Sequence, residues 1–114
     1  MNNLLENGER FLSEGYFLKA LQTYQNCEES PNILEKLGTI NKKLGRFQDS
    51  LDYFQRCIQE HQNHESIEVL KLLNNVCEVQ AKLARYDEAN TTLEDCIKLL
   101  SMIQAGNQCN ENKK

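Results

Sequence analysis

Residues that interrupt secondary structure are scarce in this 114-residue sequence, which contains one proline, Pro31, five glycines and no tryptophan. Because little breaks the chain, the sequence predicts long uninterrupted elements. The abundance of Leu, Glu, Lys and Gln favours helices over strands. A chain of this length is expected to form one domain with a thin hydrophobic core.

Basic and apolar runs are also missing. The formal net charge is −4, and the only basic runs are Lys42-Lys43 and Lys113-Lys114. Nucleic-acid binders usually carry a basic stripe, so no nucleic-acid partner is expected. No apolar run approaches the roughly 18 residues of a membrane-spanning helix, and the N-terminus lacks the pattern of a signal peptide. We therefore expect a cytoplasmic protein without membrane insertion.

Motifs that indicate catalysis or metal binding are absent as well. No phosphate-binding loop, nucleophile elbow or zinc-protease motif occurs. His61 and His64 have a ligand-like spacing, but the pattern fixes no third ligand, and exposed histidines at a turn are the commoner explanation. The sequence thus predicts a protein that is not an enzyme and that uses no metal and no cofactor.

The cysteines indicate free thiols. There are five of them, an odd number, and they are widely spaced with no C-x-x-C pair. This favours a reducing compartment over a disulfide framework. Three recur at one repeat position, where a buried cysteine acts as a small apolar residue: Cys27, Cys57 and Cys96. Cys77 receives the same interpretation, and Cys109 is the one expected to react readily.

The main positive feature is an internal repeat. Gly8 and Gly15 recur 30 residues later as Gly38 and Gly45. A third copy begins at Ala84, 39 residues after Gly45. The three copies read GYFLKAL, GRFQDSL and ARYDEAN. The matches continue downstream as Ala20–Tyr24–Cys27, Ser50–Phe54–Cys57 and Ala89–Leu93–Cys96, and upstream around Leu4, Leu34 and Leu73.

Each copy has the pattern of a helix pair. Apolar residues three and four apart form a stripe on each helix. Gly15 and Gly45 fall where a first helix ends, and glycine readily adopts the left-handed conformation there. Gly8 and Gly38 fall inside the first helix, where glycine costs about 1 kcal/mol relative to alanine. We therefore expect a backbone or an aromatic ring to pack closely against them.

The pattern predicts an all-α protein of three antiparallel helix pairs. The repeats are expected at about 1–31, 32–64 and 65–103, followed by a disordered polar tail at 104–114. The predicted helices are 2–14, 17–30, 32–44, 47–62, 65–83 and 86–103. One helix pair cannot bury its stripe alone, so the pairs must stack.

The repeat resembles the tetratricopeptide repeat, whose pattern is W-x2-L-G-x2-Y…A-x3-F…P. Leucines stand where that family often has tryptophan, and the second copy has no closing proline. The third copy is similar to the longer repeats of kinesin light chains. The resemblance implies a right-handed superhelix of helix pairs that acts as a protein-binding scaffold or adaptor.

In that family the first helix of each pair lines a concave groove that binds a peptide or helix of a partner protein. The groove residues implied here are Leu5, Glu9, Leu12, Thr39, Lys42, Lys43, Lys71, Asn74, Asn75, Glu78 and Lys82. Chaperone-binding members hold a C-terminal carboxylate at positions that match Leu5, Glu9, Lys36, Lys71 and Asn75 here. Of these only Lys71 fits, and Glu9 would repel a carboxylate, so that ligand is not expected.

Two interpretations of the groove remain open. In one, Asn74 and Asn75 bond the backbone of a bound segment while Lys42, Lys43 and Lys82 favour acidic side chains on it. In the other, all of these are solvated polar positions.

The last predicted helix suggests a second function. It is apolar on its outer side, which is expected to meet a second copy, a larger complex or further repeats beyond these residues. An assembly face is therefore expected at Leu93, Ile97, Leu100 and Ile103. The alternative to a groove adaptor is a structural subunit that forms a homodimer or a larger complex through this face.

Overall fold

The computed structural model describes the backbone of residues 3–112 and the side chains of residues 4–106, and within these residues it is helical with no strand. The all-α prediction is confirmed. The six helices are α1 (Asn3–Ser13), α2 (Phe17–Gln25), α3 (Pro31–Lys43), α4 (Phe47–Glu60), α5 (Ile67–Lys82) and α6 (Tyr86–Asn112).

Each helix packs mainly against the helices that precede and follow it in sequence. Two apolar clusters result. Cluster A joins α2 to α3 and contains Ala20, Leu21, Tyr24, Ile33, Leu37 and Ile40. Cluster B joins α3, α4 and α5 and contains Leu34, Leu51, Phe54, Cys57, Leu72, Val76 and Val79. The core is therefore a row of contacts between consecutive helices.

The first helix of every pair ends in the same type of turn. The amides of Gly15 and Tyr16 donate to the carbonyl oxygens of Leu12 and Phe11, which is the hydrogen-bond pattern of a Schellman motif. The same two bonds recur 30 residues later at Gly45, and again at Ala84. The residue at the turn has a positive φ in each case: 83° at Gly15, 77° at Gly45 and 60° at Ala84. The predicted role of the two glycines is confirmed.

Ala84 is the strained member of this set. An L-residue in the left-handed region places its Cβ close to the carbonyl oxygen, at a cost of about 1–2 kcal/mol. Glycine removes that strain but gains freedom in the unfolded chain. We expect Ala84→Gly to raise the free energy of unfolding by up to about 1 kcal/mol, measured by urea denaturation.

The matched control for this substitution is Ala81→Gly, three residues earlier in the exposed last turn of α5. Ala81 is helical, so glycine there should lower stability by up to about 1 kcal/mol. If both substitutions destabilised the protein equally, Ala84 would not carry the strain.

The two mid-helix glycines lie under aromatic rings. A Cβ built on Gly8 would stand 2.7 Å from the Tyr24 ring, and one on Gly38 would stand 2.8 Å from the Phe54 ring. Both rings are almost fully buried. The expected close approach is thus made by an aromatic ring of the second helix of the same pair. This contact sets how closely α1 approaches α2 and α3 approaches α4.

The third pair replaces both partners of this contact. Cys77 stands at the glycine position and Leu93 at the ring position. The hydrogen bond between the two helices also reverses its direction. In the second pair, Ser50 Oγ of α4 donates to the carbonyl oxygen of Gly38 in α3 at 2.7 Å. In the third pair, Cys77 Sγ of α5 donates to the carbonyl oxygen of Ala89 in α6 at 3.4 Å. In the third pair, the first helix therefore carries a side chain in place of glycine, and the second helix carries a leucine in place of the aromatic ring.

Two predicted helix ends are wrong. The second helix was expected to reach residue 30, but α2 ends at Gln25. Ser30 adopts an extended backbone and its Oγ accepts from the amide of Ile33, so it serves as the N-cap of α3, with Pro31 as its first residue. The sixth helix was expected to end at residue 103 before a disordered tail, but α6 continues to Asn112. Gly106 is the one glycine of α6, and a single glycine lowers the stability of a helix without ending it.

Candidate protein-binding surfaces

Most of the groove residues implied by the resemblance lie on one side of the first helices with their side chains in solvent. The exposed ones are Leu5, Glu9, Lys43, Lys71, Asn74, Glu78 and Lys82. Four others are half-buried: Leu12, Thr39, Lys42 and Asn75. Of these, Leu12 packs against cluster A, so its role is at least partly structural.

Lys42 joins α3 to α5. Its Nζ lies 2.8 Å from Oε2 of Glu78 and 3.0 Å from Oδ1 of Asn75. The Lys42 side chain is 23% exposed and that of Glu78 is 52% exposed, so the pair stands at the rim of the surface. A paired lysine offers less charge to a partner than a free one. One interpretation of the sequence has Lys42 favouring acidic side chains of a partner; in the structure its ammonium group is already paired with Glu78 within the chain.

The two asparagines have different surroundings. Asn75 accepts from Lys42 through Oδ1, and its Nδ2 donates to the carbonyl oxygen of Lys71 at 3.3 Å. One amide hydrogen of Asn75 remains for another acceptor. Asn74 Oδ1 accepts from Cys96 Sγ at 3.7 Å, which turns Asn74 towards α6. Asn75 is therefore the asparagine that adjoins Lys42.

Three lysines of this surface keep their charge free. Among the described side chains, Lys43, Lys71 and Lys82 form no ion pair and are exposed. Lys43 and Lys82 occupy the same repeat position on α3 and α5, 39 residues apart. We call Lys43, Lys71 and Lys82 the free-lysine set. It provides positive charge on a chain whose net charge is negative.

A depression that the sequence did not predict lies beside this surface. Its volume is about 550 Å³, and Leu4 and Leu5 of α1 face it together with Ile33 of α3 and the loop between α2 and α3. The two leucines are about 40% exposed. The rest of its lining is the segment between α2 and α3 and the start of α3: Cys27, Glu28, Glu29, Ser30 and Asn32. It is a depression of mixed character, with two partly exposed leucines on one side and the carboxylates of Glu28 and Glu29 on the other.

The predicted structural role of the cysteines agrees with their burial. Cys57 and Cys96 are buried and Cys27 and Cys77 are half-buried, all with free thiols. Burial, followed by the charges of Glu35 and Glu60, raises the pKa of Cys57 to about 11, and burial also raises the pKa of Cys96. Both thiols therefore stay protonated and unreactive near neutral pH. The Cys109 side chain lies outside the described ones.

The expected assembly face is exposed on α6. Leu93, Ile97 and Leu100 are 47%, 58% and 44% exposed, and their spacing of four and three residues places them in one row. We call these three residues the α6 stripe. Ile103, the fourth residue of the expected face, is half-buried. Large apolar side chains in a contiguous row are typical of a surface that contacts another polypeptide.

Metal-binding clusters and membrane-spanning helices are absent from the described residues. No group of three or more His, Cys, Asp or Glu side chains is arranged to hold a metal ion there. Within the same residues, no helix has the length and apolar character to cross a membrane. No protein-family model matches the sequence, and no curated protein sequence matches it either.

Proposed function

We propose that this chain is a non-catalytic, tetratricopeptide-type repeat protein that binds a peptide or helix of a partner protein along the surface formed by α1, α3 and α5. The repeated glycine–ring contacts and the three identical turns support the family assignment. The free-lysine set carries the binding proposal, because unpaired cations on a surface attract acidic side chains. Lys42 and Asn75 hold α3 and α5 in register beneath it.

A charge-reversal variant tests the free-lysine set. The probes are two fluorescent 15-residue peptides with the same apolar pattern, one with Glu and Asp at its polar positions and one with Lys. We expect the acidic peptide to bind more tightly, and Lys43→Glu plus Lys82→Glu to weaken it about tenfold. The binding should also weaken as salt is raised.

The matched control is Lys19→Glu plus Lys98→Glu, which changes the net charge equally on α2 and α6. It should alter the affinity less than about twofold, because surface charges far from the bound segment are screened. Equal affinity for the two peptides, or equal loss in both variants, would show that the lysines are merely solvated.

A second candidate function is assembly into a larger complex through α6. The observation that favours it is the exposure of the α6 stripe, whose residues are each roughly half accessible. This function needs no peptide in the groove. The first proposal predicts that substitutions in the free-lysine set weaken peptide binding. The second predicts that substitutions at Leu93, Ile97 and Leu100 weaken assembly.

A further inference from the structure

Two residues of the α6 stripe, Leu93 and Ile97, occupy repeat positions that are covered in an earlier helix pair. Tyr24 and Phe54 stand at the position of Leu93, and both are buried whereas Leu93 is about half exposed. Tyr24 shares cluster A with residues of α3, and Phe54 shares cluster B with residues of α5. Ile58 of α4, which also packs against cluster B, corresponds to Ile97. The first helix of a following pair thus covers this position twice.

The two covering helices share one pattern. Their apolar residues fall at i, i+4, i+7 and i+11, and all eight are buried in or packed against the two clusters. In α3 and the residue after it they are Ile33, Leu37, Ile40 and Leu44; in α5 and the residue after it they are Leu72, Val76, Val79 and Leu83. An arginine follows each pattern two residues later, Arg46 in one case and Arg85 in the other.

Arg85, the second of these arginines, has a partner on the helix that α5 covers. Arg85 Nη2 donates to Oε1 of Gln48 in the first turn of α4, at 2.7 Å. The corresponding residue in the first turn of α6 is Asp87, which is exposed. A helix seated on α6 as α5 is seated on α4 would bring its basic residue to a carboxylate. Both groups of that bond would be ionised, whereas in the bond to Gln48 only the arginine carries a charge.

The α1 helix of a second copy does not carry this pattern. The residues of the first pair that correspond to Leu37, Ile40 and Leu44 are Asn7, Arg10 and Glu14. Polar groups at these positions would be buried against the α6 stripe without partners, which is unfavourable. End-to-end stacking of copies through α1 is therefore disfavoured, and a helix with the apolar pattern of α5 fits the stripe better.

From these observations we propose that the α6 stripe binds an amphipathic helix of a partner protein, with apolar residues at i, i+4, i+7 and i+11 and an arginine or lysine at i+13. The proposal rests on the assembly function proposed above and names its partner. The helix packs on Leu93 and Ile97 as α5 packs on Phe54 and Ile58, and its basic residue pairs with Asp87.

A synthetic helix tests this directly. The probe is a fluorescent peptide with the sequence of residues 66–85, with serine in place of the cysteine, titrated with the full chain and followed by anisotropy. We expect saturable binding below about 1 mM. Ile97→Lys should weaken it at least about tenfold, since it places a charge in an apolar contact.

Three controls isolate the proposed contacts. Leu18→Lys, at an exposed leucine of α2, should leave binding unchanged. A peptide of residues 3–16, which carries the polar α1 pattern, should not bind. An Arg85→Glu peptide should bind about threefold more weakly to the native chain, and Asp87→Lys should restore its affinity, because only a direct charge pair is rescued by the swap.

Light scattering on the chain alone separates the outcomes. Absence of saturable peptide binding, or binding that Ile97→Lys leaves unchanged, would overturn the proposed partner. If the chain alone formed a dimer that Ile97→Lys dissociates, the occupant would be a second copy, so the assembly function would stand and the partner helix would be wrong. If Ile97→Lys changed neither peptide binding nor molar mass, both would be wrong.

Discussion

Gly38→Ala should destabilise the protein by about 2 kcal/mol or more, although alanine is the better helix former by about 1 kcal/mol. The added methyl group would stand 2.8 Å from two ring carbons of Phe54. The ring is fully buried among Leu34, Leu72 and Val79, so it has nowhere to move. The Ser50 hydroxyl bonded to the Gly38 carbonyl holds the same two helices together. The free energy of unfolding in urea measures the loss.

Gly106→Ala is the control for this substitution, because nothing lies within 4 Å of a Cβ at that position of α6. It should be neutral or slightly stabilising. If the ring is the obstacle, Gly38→Ala should lower the free energy of unfolding by less in a Phe54→Leu background. That double variant resembles the third pair, which has Cys77 and Leu93 at the two positions. Equal losses in both backgrounds would mean that the ring contact does not explain the glycine.

The features that could be predicted from the sequence are those that depend on residues close together in the chain. The recurrence of Gly15 at Gly45 located the turns, and the helix-pair pattern followed from apolar spacings. The mid-helix position of Gly38 implied a close neighbour, and the structure identifies it as Phe54. The repeat also predicts the third turn, at Ala84, although no glycine stands there; Ala84 has the positive φ of the other two turns.

What the sequence did not indicate depends on distant or subtle contacts. Lys42 and Glu78 are 36 residues apart, and nothing in the local pattern of either predicts that they pair. The segment between α2 and α3 was predicted as helix, but Asn26 caps the end of α2 and Ser30 caps the start of α3. The polar composition after residue 103 predicts disorder, but α6 extends to Asn112, and Gln and Glu in this stretch are good helix formers.

Phe54→Ala should have the largest effect of the substitutions considered, a loss of about 3–5 kcal/mol on removal of a fully buried ring from cluster B. Leu93→Ala is its counterpart at the same repeat position of α6. Because Leu93 is 47% exposed, truncation there should cost less than about 1 kcal/mol. Leu93→Ala is thus an internal control for Phe54→Ala, because Phe54 is covered by α5 whereas Leu93 is about half exposed.

The comparison of these two variants by urea denaturation tests most directly whether the interface between helix pairs is formed at α4 and left open at α6. If Phe54→Ala does not fold, Phe54→Leu replaces it, with an expected loss of about 1 kcal/mol or more. The predicted result is a loss several times larger at Phe54 than at Leu93, with the Leu93 value independent of protein concentration. Equal losses, or a loss at Leu93 that grows with protein concentration, would show that α6 is already covered and would contradict the open interface.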